Sequence, residues 1–186
     1  MQLYDCYMER RREYVLTELS IMNESPETLI SGILDDEILS RMKSIVECES
    51  PIRESLLFKR TINSFSLQKV GSRILDKFVE IASKLEYEKI YEGDEAVYLS
   101  KPCDYFRPTP ESLVRYSYQI PYVEGACAIL HILENSDKAS FTQKDLLRCF
   151  EEEMGYQKVG SKVLDLFKES LKDPRIKKSK NGRITK

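Results

Sequence analysis

The chain has 186 residues, enough for one medium domain or two small ones. Its 29 basic and 31 acidic side chains give a net charge of −2, but residues 1–100 sum to −6 and residues 101–186 to +4. A content of 41% hydrophobic and 32% charged residues is typical of a folded globular protein and excludes a disordered tail. The charge split predicts an anionic partner for the second half of the chain and a different partner for the first.

Several absences argue against a secreted, membrane-bound or enzymatic protein. Residues 9–13 are charged where a signal peptide needs an apolar run, and the longest apolar run, 126–133, is too short for a bilayer. The five cysteines are scattered and form no Cys-x-x-Cys pair, so we expect neither disulfides nor zinc. We therefore expect a cytoplasmic, non-enzymatic protein with no catalytic residues, no metal, no other cofactor and no membrane association.

An internal repeat organises the chain. Residues 68–80 (QKVGSRILDKFVE) recur at 157–169 (QKVGSKVLDLFKE), with nine of 13 positions identical at an offset of 89 residues. Upstream of each copy, an i, i+4, i+8 pattern predicts an amphipathic helix, formed by Leu57, Thr61 and Phe65 and by Leu146, Phe150 and Met154. A duplicated structural unit explains this match.

The first copy predicts a helix, a short strand, two further helices and a hairpin. These elements cover residues 37–48, 51–52, 55–65, 68–85 and 89–99, and Gly93 marks the hairpin turn. The third helix is expected to pack through Val70, Ile74, Leu75, Phe78 and Ile81. Gly71 is predicted to lie beside this stripe, where its missing Cβ allows a close approach.

The second copy predicts the same order of elements. Its helices cover residues 122–134, 143–154 and 157–171, with a short extended piece at 139–141. Thr142 is expected to cap the second helix and Gly155 to end it. Asn181-Gly182 is the strongest hairpin signal in the chain.

This order is typical of a winged helix, a helix-turn-helix followed by a β-wing. The predicted fold is therefore mainly α with small β-hairpins, built as tandem winged-helix domains. The predicted domains are an N-terminal helical extension (1–34), a first repeat (35–100), a stiff Pro/Tyr-rich linker (101–121) and a second repeat (122–186).

Two phrases carry a family resemblance. They are residues 49–57 (ESPIRESLL) followed by 69–73 (KVGSR), and the second Gly-Ser phrase at 158–162 (KVGSK). Over about residues 35–186 the chain resembles the C-terminal domain of unknown function of large bacterial superfamily-1 helicase-like proteins, which often also carry an endonuclease-like domain. The resemblance implies a setting associated with DNA or RNA and a helicase or nuclease protein as a partner; it implies no catalytic residues.

The two third helices are candidate nucleic-acid contacts, because such helices can enter the major groove. Their outward faces present Lys69, Ser72, Arg73 and Lys77 in the first copy and Lys158, Ser161 and Lys162 in the second. The alternative is that the shared motif only packs two helices together and its cations face water. Asp76 and Asp165 on the same helices would repel phosphate.

The two predicted wings differ in charge. The first carries Glu92, Asp94 and Glu95, which a phosphate backbone would repel. The second carries Lys172, Arg175, Lys177, Lys178, Lys180, Arg183 and Lys186 against Asp173 alone. We expect the second wing to contact a nucleic-acid backbone, unless it is simply a solvated basic terminus.

Other candidates favour structural roles. His131 lies on an apolar helix and is expected to pack there, and residues 151–153 (EEE) point in different directions along a helix. The linker's Tyr105, Phe106, Arg107, Arg115, Tyr116, Tyr118 and Tyr122 could stack on unpaired bases, but we favour packing of the linker onto the domains that it joins.

The sequence thus predicts a non-enzymatic accessory module that binds nucleic acid, with DNA favoured over RNA, mainly through its second repeat. The first repeat would hold a protein partner or pack against the second. The alternative is a protein-interaction module that uses both repeats.

Overall fold

The chain forms two units in the computed structural model, which describes residues 10–69, 71–110, 113, 115–158 and 160–185. The acidic unit comprises Val15–Pro102 and carries a net charge of −5. The basic unit comprises Met1–Tyr14 with Cys103–Lys186 and carries +3. Each unit is mainly helical and contains a small antiparallel sheet.

Within its described residues, 15–69 and 71–102, the acidic unit contains four helices and three strands. They are α1 (Pro26–Ile30), α2 (Asp35–Glu49), β1 (Ile52–Arg53), α3 (Glu54–Asn63), α4 (Ser72–Ala82), β2 (Glu88–Glu92) and β3 (Glu95–Leu99). The strands form an antiparallel sheet in the order β1-β3-β2. Gly93, with φ +67°, lies in the turn between β2 and β3, which confirms the predicted hairpin.

Apolar residues at helical spacing build the core of the acidic unit. Ile38, Met42 and Ile45 recur every three or four residues along α2 and are fully buried. Phe58 of α3 and Phe78 of α4 meet edge to face with their ring centroids 5.7 Å apart. The helices therefore pack through the apolar faces that the sequence pattern indicates, with one exception: Leu75 of α4, which was predicted to pack in this stripe, is 43% exposed, so that prediction is wrong.

The start of the third helix differs from the prediction. In the acidic unit α4 begins at Ser72 rather than at residue 68, and Gly71 is its N-cap with extended backbone. A Cβ built at Gly71 would meet nothing within 4 Å. The prediction that Gly71 permits a close helix approach is therefore wrong; the glycine stands at the cap, where it is well tolerated. The predicted core residue Val70 lies outside the described residues.

The basic unit repeats the helical part of this plan. Its elements are a 3₁₀ helix (Ser117–Gln119), α5 (Tyr122–Asn135), α6 (Gln143–Glu153), α7 (Ser161–Ser170), β4 (Lys177–Lys178) and β5 (Ile184–Thr185). Thr142 caps α6 by accepting a hydrogen bond from the Asp145 amide, as predicted. Gly155 follows α6 with φ +76°, which agrees with its predicted role as a stop.

The two repeats agree in strand pairing as well as in helix order. Ile52 of β1 pairs with Tyr98 of β3. The equivalent residue 89 positions later, Phe141, pairs with Ile184 through backbone hydrogen bonds of 3.0 and 2.9 Å. In both units the residue two positions before the second helix thus pairs with the last strand of the hairpin.

Most of the described segment before α2 is non-helical where helices were predicted. Among the described residues of 1–34, α1 is the only helix, and Ser25 is its N-cap. Side chains of the acidic unit bind the backbone upstream: the Thr17 amide donates to Glu49, and Arg41 donates to the Ser20 carbonyl at 2.7 Å. These tertiary hydrogen bonds replace those of a helix. Residues 1–9 of the predicted helical extension (1–34) lie outside the described residues.

None of the helices that the structure describes combines the length and the apolar character that crossing a bilayer requires.

Candidate nucleic-acid interface

The hairpin of the basic unit is a short, well-anchored projection. Lys177 pairs with Thr185 and Lys178 with Ile184. The connecting turn is closed by the Ser179 amide, which donates to the Arg183 carbonyl at 2.8 Å, and Gly182 adopts φ +74°. Ile184, only 1% exposed, fixes the hairpin to the unit, so its polar side chains are held outward.

Four cations decorate this hairpin: Lys177, Lys178, Lys180 and Arg183. All four are exposed, and within the described part of the chain none has a carboxylate within 4.0 Å. A group of free cations on a rigid support can neutralise phosphates without first breaking internal ion pairs. We call these four residues the basic hairpin.

Two neighbouring cations are already neutralised. Lys172 binds Glu169 at 2.5 Å, and Arg175 binds Asp173 at 2.8 Å. The Asp173 hydrogen bond raises the pKa of Arg175, and Arg175 lowers the pKa of Asp173. Of the seven cations that the sequence assigns to the second wing, these two are therefore already paired with carboxylates. Lys186 lies outside the described residues.

The N-terminus of α7 offers a second group of polar contacts in the same unit. Lys158, Ser161 and Lys162 are all exposed there, and Gly160 is the N-cap. The free amide groups and the partial positive charge of a helix start favour an anion. Asp165, also exposed, reduces this advantage one turn further along.

The equivalent group of the acidic unit is smaller than predicted. Lys69, Ser72 and Arg73 are exposed at the start of α4. Lys77 is not free: its ammonium binds Asp35 at 2.7 Å and Glu80 at 3.3 Å, and the hydrogen bond to Asp35 raises its pKa. The expectation that Lys77 faces a ligand is wrong, because an acidic residue at the start of α2 already holds it.

The structure thus groups the predicted site residues by unit. Lys158, Ser161, Lys162 and the basic hairpin belong to the basic unit, whereas Lys69, Ser72 and Arg73 belong to the acidic unit. The acidic hairpin has its own internal pairing: Arg53 binds Glu92 at 2.6 Å and Glu95 at 3.1 Å. Asp94 at its tip is exposed.

A buried charge cluster in the basic unit escaped the sequence analysis. Glu124, fully buried near the start of α5, binds Arg107 at 2.8 Å and Arg115 at 2.6 Å. Burial raises the pKa of Glu124, but the two guanidinium groups outweigh it and bring the pKa to about 2. The only sequence signal was two arginines in a Pro/Tyr-rich stretch, and nothing there identified Glu124 as their partner.

This cluster explains how the predicted linker is held. Tyr105, Phe106, Arg107 and Arg115 are buried within the basic unit, whereas Tyr116 and Tyr118 remain exposed and stack on each other at 5.3 Å. The stretch from Cys103 onward belongs to the basic unit rather than standing between domains. Most of its aromatic and basic side chains are therefore structural and closed to bases.

The remaining candidate residues, His131 and the acidic run 151–153, make contacts that indicate structural roles. His131 packs its ring against Phe106 with centroids 5.2 Å apart, and burial lowers its pKa. Glu153 of the acidic run binds Arg11 at 3.2 Å. No group of three or more His, Cys, Asp or Glu side chains within the described ranges is placed to hold a metal ion.

Comparison with known families gives one match. The model of a family described as "Protein of unknown function (DUF3320)" matches residues 29–76, which include α2, β1, α3 and the start of α4. The match covers only the first part of the first repeat and supports an uncharacterised domain of unknown function. No curated protein and no solved structure matches the chain.

Proposed function

We propose that the chain is a non-enzymatic, nucleic-acid-associated module of two winged-helix repeats, in which the basic unit binds the phosphate backbone. Each repeat has three helices followed by a hairpin, and in each the segment before the second helix, which is strand β1 in the first repeat and the single bridging residue Phe141 in the second, pairs with the last hairpin strand. This pairing supports the winged-helix interpretation, with α4 and α7 as third helices and the two hairpins as wings.

The observation that carries the proposal is the basic hairpin. Its four cations are exposed and lack carboxylate partners within the described residues, so binding phosphate costs no broken ion pair. Lys158, Ser161 and Lys162 would add contacts from the start of α7. We favour DNA over RNA and a helicase or nuclease as the associated protein, in line with the helicase-like resemblance.

The test is fluorescence anisotropy with labelled duplex and single-stranded DNA at low salt, alongside RNA of the same sequence. Four phosphate contacts give a slope of about −3.6 for log affinity against log salt on duplex DNA. The triple variant Lys177→Glu, Lys178→Glu, Lys180→Glu should abolish binding, because repulsion replaces attraction along the same backbone.

A control variant with the same change in net charge is Lys43→Glu, Lys59→Glu, Lys84→Glu, whose positions are exposed in the acidic unit. It should bind DNA almost as the unchanged protein does. Equal losses in both triple variants would show that net charge alone governs binding, and unchanged affinity in the hairpin variant would remove the hairpin from the interface.

A further inference from the structure

The acidic unit carries an open cleft between the start of α3, α4 and the β2–β3 turn. Its volume is about 480 Å³. The lining consists of one buried ring, one exposed aliphatic side chain, one serine and four carboxylates: Phe58, Leu75, Ser55, Glu54, Glu92, Asp94 and Glu95. We call this the acidic cleft.

An apolar strip borders the acidic cleft on α4. Leu75 is 43% exposed and Val79, one turn later on the same face, is 48% exposed. The opposite side of α4 already supplies Ile74, Phe78 and Ile81 to the core. Leu75 and Val79 therefore form a second apolar face that the fold of the unit does not require, which is typical of a contact surface.

The carboxylates of the cleft are held in defined positions. Arg53 binds Glu92 and Glu95, the Ser55 amide donates to Glu95 at 3.2 Å, and the Tyr98 hydroxyl donates to Glu54 at 2.9 Å. One arginine faces four carboxylates, so the local charge is −3. A fixed field of this sign attracts cations and repels phosphate.

The repeat provides an internal comparison for this surface. One repeat later, Glu54 is replaced by Gln143, Ser55 by Lys144 and Val79 by Lys168. The hairpin changes in the same direction, since the second one carries the four free cations. The same architectural position is thus cationic in the basic unit but acidic and apolar in the acidic unit, and the two surfaces call for ligands of opposite charge.

We propose that the acidic cleft, with Leu75 and Val79, binds a segment of a partner protein that has an apolar face flanked by lysines and arginines. An amphipathic helix or short extended segment would place its apolar side chains on Leu75 and Val79 and its cations beside Asp94, Glu54 and the hairpin carboxylates. This role is independent of nucleic-acid binding by the basic unit.

The probe is a labelled peptide of about 18 residues made of Leu and Lys, with Leu at i, i+3, i+4 and i+7, titrated with the full chain by anisotropy. A Leu/Glu peptide of the same pattern and a Ser/Lys peptide of the same charge are the comparisons. The Leu/Lys peptide should bind, and each comparison peptide should bind at least about tenfold more weakly.

Two double variants locate the binding. Leu75→Ser with Val79→Ser should weaken the Leu/Lys peptide by about tenfold or more, because both anchors are lost from an exposed face and the core is untouched. The matched control, Leu164→Ser with Lys168→Ser, changes the equivalent positions of the basic unit and should leave affinity unchanged. Circular dichroism checks that both variants keep their helices.

Several results would overturn the proposal. One is an affinity that the Leu75/Val79 variant does not change. Another is equal binding of the Ser/Lys peptide, which would show general charge attraction. Self-association of the purified chain that this variant abolishes would identify a second copy as the occupant. Loss of DNA binding in this variant would make the cleft part of the nucleic-acid interface.

Discussion

The two hairpins occupy the same position in their repeats, yet their charges are opposite. In the acidic unit Glu92 and Glu95 surround a buried Arg53, whereas the basic hairpin carries four exposed cations without carboxylate partners in the described chain. The cores, by contrast, hold the same kinds of side chain at equivalent places, such as Phe78 and Phe167. Core packing limits substitution far more than a solvated wing does, so the copies keep the same arrangement of helices and diverge in surface charge.

The units also differ in how they hold their flanking segments. The basic unit uses Glu124, which is fully buried with Arg107 and Arg115. The acidic unit uses Glu49, which is 1% exposed and accepts hydrogen bonds from the Thr17 amide and from Arg60. The Arg60 side chain is 23% exposed, so its charge can reach water. Both units therefore hold a flanking segment with a buried carboxylate, but we expect removal of the carboxylate to cost more stability in the basic unit, where both arginines are buried.

The largest expected effect comes from removing these two carboxylates separately. Glu124→Ala should lower the free energy of unfolding by about 3–5 kcal/mol, because it leaves two guanidinium groups buried without their counter-ion. Glu49→Ala should cost less, about 1–3 kcal/mol, since Arg60 can turn to solvent. Urea denaturation measures the cost, and hydrogen exchange assigns the loss of protection to α5 and α7 or to α2 and α3.

If the two variants lost the same free energy of unfolding, the solvent exposure of Arg60 would not reduce the effect of removing Glu49. A cost below about 1 kcal/mol for Glu124→Ala would contradict the buried cluster itself.

The next-largest expected effect is a decrease in the free energy of unfolding at acidic pH. The pKa of Glu124 is about 2 in the folded chain and about 4.3 in an unfolded one. A lowered pKa stabilises the fold above pH 4.3, and this contribution, about 3 kcal/mol, is lost as the pH falls from about 4.3 to 2. Chemical denaturation between pH 6 and about 2 measures it.

The variant Glu124→Gln is the control for this pH dependence. It keeps the shape of the side chain and cannot titrate, so its stability should fall less over the same range. An identical pH profile in the two proteins would assign the acid sensitivity to other carboxylates.

The smallest effect tests the two turns that follow the second helices. Ser66 has φ +61° and occupies the position equivalent to Gly155, with φ +76°. A Cβ at Gly155 would lie 2.7 Å from the Thr109 carbonyl oxygen, so Gly155→Ser should destabilise the chain by about 2 kcal/mol. Ser66→Gly should stay within about 1 kcal/mol of the unchanged protein, because relief of the positive φ offsets the lost bond to Asn23.

Thermal unfolding of both variants checks this pair. A loss for Gly155→Ser of less than about 1 kcal/mol would show that the contact with Thr109 is unimportant.

The sequence by itself determined the repeat, the helix order, the Thr142 cap and both hairpins, because each depends on residues close along the chain. The tertiary structure decided the roles of side chains whose partners are distant in the sequence. Lys77 was removed from the candidate surface by Asp35, and Arg107 and Arg115 became structural through Glu124.

Tertiary structure likewise decided the shape of residues 11–24, whose backbone bonds to Arg41, Glu49 and Arg60 instead of forming a helix. Local patterns specify which elements form. A buried ion pair or a backbone-to-side-chain bond joins residues tens of positions apart, and only the folded arrangement shows which side chains it uses and which it leaves free for a ligand.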